Sequence, residues 1–261
     1  MSNDRRHKAL LKILTERERA TVEELVEELH ASVATIRRDI TSLAQRGLLH
    51  RLRGGAERLA GRPRYALAGG TFDQYLAVFP HEKRAIAQHA AGMCQDGDTI
   101  TISSGTTTFM MVEFLVERRM RILTNSFLMA EQLLTRSLNE IIVPGGLIYR
   151  EQNVILSPFE NDVTQNHYAS KMFLGAAGLT EIGLLARDPL VIQAERRLIN
   201  QANKLVVLAD SSKFLSSGAG LILCPLQKLH CVITDDRVSE ASVRMLEGAG
   251  VKVITVSPTA S

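Results

Sequence analysis

Apolar positions in the first fifty residues fall three and four apart. Ala9, Leu10, Ile13 and Leu14 predict a helix over residues 4–15. Thr21-Val22-Glu23-Glu24 opens a second helix as a capping box, because the Thr hydroxyl and the Glu carboxylate each satisfy a backbone N–H. Val22, Leu25, Val26 and Leu29 form its apolar face, and His30-Ala31 makes a short turn. Ser32 is the expected N-cap of a third helix with an apolar stripe of Val33, Ile36, Ile40 and Leu43. Gly47 stops it, and residues 48–56 read as a hairpin turning at Gly54-Gly55.

Residues 59–78 show no clear period and carry Gly, Pro and Arg, so they are expected to connect two domains, residues 1–58 and 79–261. Beyond them the pattern changes. Residues 81–93 form an amphipathic helix. Short apolar runs at 98–103, 121–123, 140–143, 171–174, 204–209, 231–234 and 251–256 then alternate with helical stretches. That alternation predicts a multidomain α/β protein whose second domain is a mostly parallel sheet covered on both faces.

Charge separates the two parts further. Residues 31–64 hold eight Arg against Asp39 and Glu57, in a chain of net charge +3. A basic head on a near-neutral body points to a polyanion-binding head. Three short helices followed by a hairpin make a winged helix-turn-helix. Short polar residues early in its third helix, with Arg, suit base edges and phosphates of double-stranded DNA. The candidate DNA contacts are Thr21, Ser32, Thr35, Arg37, Arg38, Arg51, Arg53 and Gly54. Thr35 with Arg37 or Arg38 are placed at the bases, and Arg51 and Arg53 beside the wing.

In the body, polar strand ends draw attention. Ser104-Gly105-Thr106-Thr107 follows a strand at the expected start of a helix. Backbone N–H groups, hydroxyls and a helix dipole would there suit an anion such as phosphate. Thr124-Asn125, Gly145-Gly146 and Asp210-Ser211-Ser212-Lys213 end further strands, where ligands of open α/β sheets bind. Cys94, Cys224 and Cys231 lack metal-ligand spacing, so no metal or cofactor is expected. No apolar run approaches the ~20 residues of a membrane span, and no signal-peptide pattern opens the chain, so a cytoplasmic protein is expected.

The string TVEELVEELHASVATIRRDITSLAQRGLLHRLRGGA resembles the winged helix-turn-helix of DeoR-type bacterial regulators. EKRAIA, SSGTTT, TNS, VPGG and KLVVLADSSKF are similar to the sensor domain of that family, whose fold resembles ribose-5-phosphate isomerase. Residues from LSPFEND to GLLARD are similar to the ascorbate-utilisation repressors. The resemblance implies a repressor of a carbohydrate catabolic operon. It would be released from its operator by a phosphorylated sugar, sugar acid or polyol, and would act as a dimer or tetramer. Carried over residue by residue, Ser104, Gly105, Thr106 and Thr107 would hold the phosphate with Lys83 or Lys213. Thr124, Asn125, Gly145, Gly146 and Asp210 would line the sugar end. Ser103 stands where many relatives have Asp, which removes an acceptor for sugar hydroxyls.

The competing reading is a sugar-phosphate isomerase or deaminase with a DNA-binding head. It needs a carboxylate base beside a Lys. Asp188 and Glu195 lie in a charged helical stretch that reads as a solvated face, and the DGADE and GGGGA stretches of ribose-5-phosphate isomerases are absent. The sequence therefore favours a regulator over an enzyme.

Overall fold

The computed structural model describes residues 3–17, 19–45, 49–52, 54–58, 66–67, 70–159, 162–214 and 220–258. The chain divides into two compact units, Met1–Arg64 and Tyr65–Ser261.

The first unit runs α1 (Asn3–Arg17), β1 (Arg19–Thr21), α2 (Val22–Leu29), α3 (Val33–Gln45), β2 (Leu49–Leu52) and β3 (Gly55–Arg58). The capping box at α2 is formed: the Glu24 N–H donates to Thr21 Oγ1 at 3.2 Å, and the Thr21 N–H donates to Glu24 Oε2 at 2.7 Å. His30 ends α2 in the left-handed region at φ 49°, a conformation an L-residue holds at some cost. Leu10, Leu14, Leu25, Ile36, Ile40, Leu43 and Leu49 close over one core. Burying each such side chain stabilises by about 1.5–3 kcal/mol. Val33, expected in the buried stripe, is 43% exposed, because the stripe that reaches the core begins one turn later at Ile36.

The wing has a third strand that the hydrophobic pattern did not show. β3 pairs antiparallel with both β2 and β1. The pairing explains Gly55: a Cβ there would come within 2.4 Å of the Ala20 carbonyl oxygen. Gly54 turns the hairpin at φ +95°, which favours glycine. Arg53 lies outside the described residues.

The second unit begins with a short pair, β4 (Ala66–Leu67) and β5 (Gly70–Thr71), and α4 (Phe72–Leu76). α4 falls within the stretch expected to be a connection. Its Phe72 is buried edge-on against Phe109, with ring centroids 5.2 Å apart. Then follow α5 (Pro80–Gly92), β6 (Thr99–Ile102), α6 (Thr106–Phe109), α7 (Val112–Leu115), β7 (Arg121–Thr124), α8 (Phe127–Arg136) and β8 (Glu140–Ile142). A hairpin of β9 (Leu147–Tyr149) and β10 (Val154–Leu156) leads to β11 (Ala169–Gly175), β12 (Gly178–Thr180), β13 (Gly183–Ala186) and α9 (Pro189–Ile199). The chain continues through β14 (Ala202–Leu208), β15 (Leu221–Cys224), β16 (Cys231–Asp235), α10 (Glu240–Gly248) and β17 (Lys252–Val256).

Seven strands form one parallel sheet in the order β17-β16-β14-β11-β6-β7-β8. Each of the seven apolar runs predicted as strands supplies one of them. Alternation splits these runs between two cores. Ile100, Ile102, Phe173, Val206, Leu208 and Ile233 face a layer built from α5, α7 and α8. Met172, Leu174, Leu205, Val207 and Val232 face α9, α10 and a small antiparallel sheet of β12, β13 and β15.

The strand order reverses between β6 and β11. After β6 the chain adds β7 and β8 on one side, and later strands add from β11 on the other. Connections at such a point leave in opposite directions, and a crevice opens at the carboxyl ends of the two central strands.

Candidate functional site

In the head, Ser32 caps α3: its Oγ accepts from the Thr35 N–H at 3.2 Å and lies 2.8 Å from Thr35 Oγ1. Arg37 and Arg38 project from α3 as exposed side chains, and Ala34 beside them is exposed too. Asp39, the one acid of this helix, is turned inward. It is 4% exposed and is held by Arg6 Nε at 2.5 Å and by the His7 ring at 3.0 Å. These partners hold its carboxyl below the usual range against the opposing effect of burial. The outer face of α3 is thereby basic. Arg51 reaches from β2 to α3, donating to Thr41 Oγ1 at 3.3 Å, and Thr41 Oγ1 donates to the Arg37 carbonyl. Thr21 serves as the cap of α2 and Gly54 as the wing turn.

In the body, a cavity of about 170 Å³ opens at the switch between β6 and β11. Ser104, Gly105, Thr106 and Thr107 form one wall and Gly175, Ala176 and Ala177 the other. The two loops approach closely. A Cβ on Gly105 would lie 3.0 Å from Thr108 Oγ1 and 3.8 Å from the Gly175 Cα. α6 has only four residues, so the expected helix dipole is small, and the polar character of this wall rests on hydroxyls and backbone N–H groups.

Two lysines reach the cavity. Lys83 on α5 is 3% exposed, and its Nζ donates to the Tyr75 carbonyl at 2.5 Å. Burial pushes its ammonium down to about 8, with the Asp210 carboxylate acting against that fall. Lys213 follows the fully buried Asp210 on a 3₁₀ turn and lines the same cavity.

The remaining predicted positions are not among the residues that line the cavity. Asn125 is fully buried, and its Oδ1 accepts from the Ser104 N–H at 3.0 Å, which steadies the loop from below. Thr124 Oγ1 accepts from the Ser126 N–H at 3.1 Å. Gly145 precedes β9, and a Cβ on Gly146 would fall 2.0 Å from the Leu156 carbonyl oxygen. Asp210 Oδ1 accepts from the Ser212 N–H at 3.1 Å, and its hydroxyl donates there too. The structure thus brings Lys83, Ser104–Thr107 and Lys213 to the cavity, whereas Thr124, Asn125, Gly145, Gly146 and Asp210, expected at the sugar end, do not line it.

The sequence reading did not place Arg187 at the cavity and set Asp188 and Glu195 aside as a solvated face, yet all three line it. Asp188 caps α9 through the Leu190 N–H at 2.8 Å and accepts from the Tyr149 hydroxyl at 2.9 Å. Glu195, expected on a solvated face, is 6% exposed. Burial pushes its carboxyl up to about 7, with the nearby Ser103 hydroxyl acting against that rise. The signal was present in the spacing, because Ile192, Glu195, Leu198 and Ile199 share the buried stripe of α9.

Comparison with known proteins fits both halves. The DeoR-like helix-turn-helix domain matches residues 6–61, and the DeoR C-terminal sensor domain matches residues 79–236. The HTH-type transcriptional regulator UlaR of Shigella dysenteriae serotype 1 (strain Sd197) is 32% identical over 259 residues, covering 98% of this chain and 100% of that protein. UlaR of Escherichia coli O1:K1 / APEC is also 32% identical over the same span. Among solved structures, ribose 5-phosphate isomerase A from Methanocaldococcus jannaschii matches 51% of this chain and 53% of its own at 18% identity and a TM-score of 0.39. A Pyrococcus horikoshii OT3 translation initiation factor eIF-2B matches 87% of this chain and 81% of its own at 16% identity and a TM-score of 0.40. A basic recognition helix on one unit, a polar cavity at the sheet's switch point on the other, and two family matches that together span most of the sequence lead to one assignment: the chain belongs to the DeoR family of helix-turn-helix transcriptional regulators.

Proposed function

We propose that this regulator represses a carbohydrate catabolic operon and leaves its operator when a phosphorylated sugar, sugar acid or polyol enters the body's cavity. The observation that carries the reading is the grouping of Ser104, Thr106, Thr107, Lys83 and Lys213 around one crevice at the β6–β11 switch. Hydroxyls, backbone donors and two ammonium groups suit a phosphate dianion.

The head, residues 1–58, reads double-stranded operator DNA, and residues 59–78, whose α4 belongs to the second unit, lead to the effector-binding body, residues 79–261. Thr35 with Arg37 or Arg38 faces the bases. Arg51 and Arg53 position the wing, with Thr21, Ser32 and Gly54 holding the backbone that presents them. A dimer or tetramer supplies the second head that an extended operator requires, since one small module buries too little surface for specific binding. Effector and DNA are coupled because each favours a different arrangement. A coupling of about 1–3 kcal/mol changes operator affinity about 5- to 150-fold.

Electrophoretic mobility shift on DNA from the gene's own upstream region tests the reading. A specific shift at physiological salt, relieved by a sugar phosphate at millimolar concentration and unaffected by the unphosphorylated sugar, is the expected result. Folded protein that gives no specific shift would overturn it.

A further inference from the structure

The chemistry of the cavity does not end at its anion-binding wall. Asp188, Val191 and Glu195 present one face of α9 to the same space, at steps of three and four. Of these, Asp188 is committed to its cap and to the Tyr149 hydroxyl. Glu195 is different. It is buried on the cavity wall, where burial pushes its carboxyl up and the nearby Ser103 hydroxyl acts against that rise. Lys83 responds to Asp210, Lys213 and Glu82, and not to Glu195. A carboxyl buried on the wall of a cavity costs stability that a purely structural role would not require.

Ser103 gives the placement its meaning. It is fully buried at the end of β6, and its N–H donates to the Phe173 carbonyl on β11 at 2.9 Å. It therefore sits on the switch itself, immediately before the loop of Ser104–Thr107. Glu195 comes from α9 and lines the same cavity. The cavity so combines donors for an anion with a carboxyl that can exchange hydrogen bonds with a neutral hydroxyl.

We infer that Glu195 is the specificity-determining residue of the cavity, hydrogen-bonding a hydroxyl of a polyhydroxylated phosphate whose anion lies against Ser104–Thr107, Lys83 and Lys213. The inference rests on the cavity being the effector site and adds which residue reads the non-phosphate end. Proton linkage follows. With its carboxyl raised to about 7, Glu195 is neutral below that pH and then donates to a ligand oxygen; once ionised it places a negative charge in a cavity that must receive an anion. The charged and titratable groups around it are Lys83 from α5, Lys213 from the 3₁₀ turn, Arg187 and Asp188 ahead of α9, Tyr75 from α4 and Cys224 from β15. Lys83, at about 8, contributes a second, separate limb to any pH profile.

The test uses the full chain without DNA and two probes measured by calorimetry: sulfate, which is dianionic throughout the range, and sorbitol 6-phosphate, which adds a polyol. The wild type is expected to bind sorbitol 6-phosphate about tenfold or more tightly than sulfate, the effect of one well-made buried hydrogen bond. Glu195→Met should erase that margin and keep sulfate binding, which also reports that the cavity is folded. Glu195→Gln should keep most of the margin. It should remove the limb of the sulfate pH profile centred near 7 and leave the limb near 8 that belongs to Lys83. A margin that persists in Glu195→Met, a wild type without a margin, or a limb near 7 that survives in Glu195→Gln overturns the inference alone. If Glu195→Met does not fold, the limb in Glu195→Gln decides. Wild type that binds neither probe overturns the reading of the cavity, and the inference with it.

Discussion

Arg6 and Asp39 are 33 residues apart in sequence, yet Arg6 Nε lies 2.5 Å from Asp39 Oδ2, and Arg6 Nη2 reaches Oδ1 at 3.2 Å. The pair ties α1 to α3. It also removes the single negative charge of α3 from the exposed face that carries Arg37 and Arg38. Asp39→Ala leaves Arg6 and His7 without that acceptor and should cost about 2 kcal/mol, read as a lowered urea midpoint. The pH dependence has a definite sign. The carboxyl is depressed in the folded state, so its contribution is present above the ordinary carboxylate range and is lost as pH falls through the folded value. Asp39→Asn should flatten that acid limb.

Arg51 is held to Thr41 at 3.3 Å, so its guanidinium is set beside α3 and not in front of it. Arg51→Ala should weaken operator and random DNA alike and lower the slope of log affinity against log salt by about one. Arg37→Ala should instead lose discrimination at one operator position, at a cost of about 1–3 kcal/mol. Fluorescence anisotropy with an operator and a scrambled duplex, titrated with salt, separates the two outcomes.

Lys83 is an ammonium that folding has removed from water. Its folded value of about 8 lies below the ordinary 10.5, so the folded state disfavours the proton. Stability should therefore rise as pH increases from about 8 towards 10.5, and below 8 the full cost is present. Lys83→Met should lose this rise and should unfold at a higher temperature at neutral pH, by an amount equivalent to about 2 kcal/mol. The same substitution should weaken sugar-phosphate binding about tenfold or more, which differential scanning calorimetry with and without the ligand checks directly.

Gly146 offers a sharper structural test. Its absent Cβ would meet the Leu156 carbonyl oxygen at 2.0 Å, and that oxygen belongs to a strand backbone that cannot step aside cheaply. Gly146→Ala should destabilise the body by about 2–3 kcal/mol. Gly145→Ala, where nothing lies within 4 Å, should be nearly neutral. Thermal unfolding of the two variants compares them.

The parallel sheet was legible because its strands are buried on both faces and so appear as short apolar runs, as in Thr-Ile-Thr-Ile at 99–102 and Lys-Leu-Val-Val-Leu at 204–208. The head was legible through Thr21, Glu24 and the spacing of Ile36, Ile40 and Leu43. β1, β9 and β10 were not, since each has three residues, too few to establish a period of two. The cavity was half legible. Ser104–Thr107 stands out as a polar run after an apolar strand. Arg187, Asp188 and Glu195 were hidden because charge near a helix usually means solvent, and only the stripe of Ile192, Leu198 and Ile199 shows that Glu195 points inward. Asn125 and Asp210 illustrate the converse. Polar residues at strand ends were correctly located, yet their side chains fasten the loops and do not line the cavity.

The two walls of that cavity come from β6 and β11, and β11 begins only at residue 169, whereas the last strand of the head ends at residue 58. A ribosome adding residues at roughly 5–20 per second finishes the reading head roughly 5–20 s before it delivers the second wall. In every round of synthesis, the part that recognises DNA exists for that interval beside a sensing part still too short to answer a metabolite.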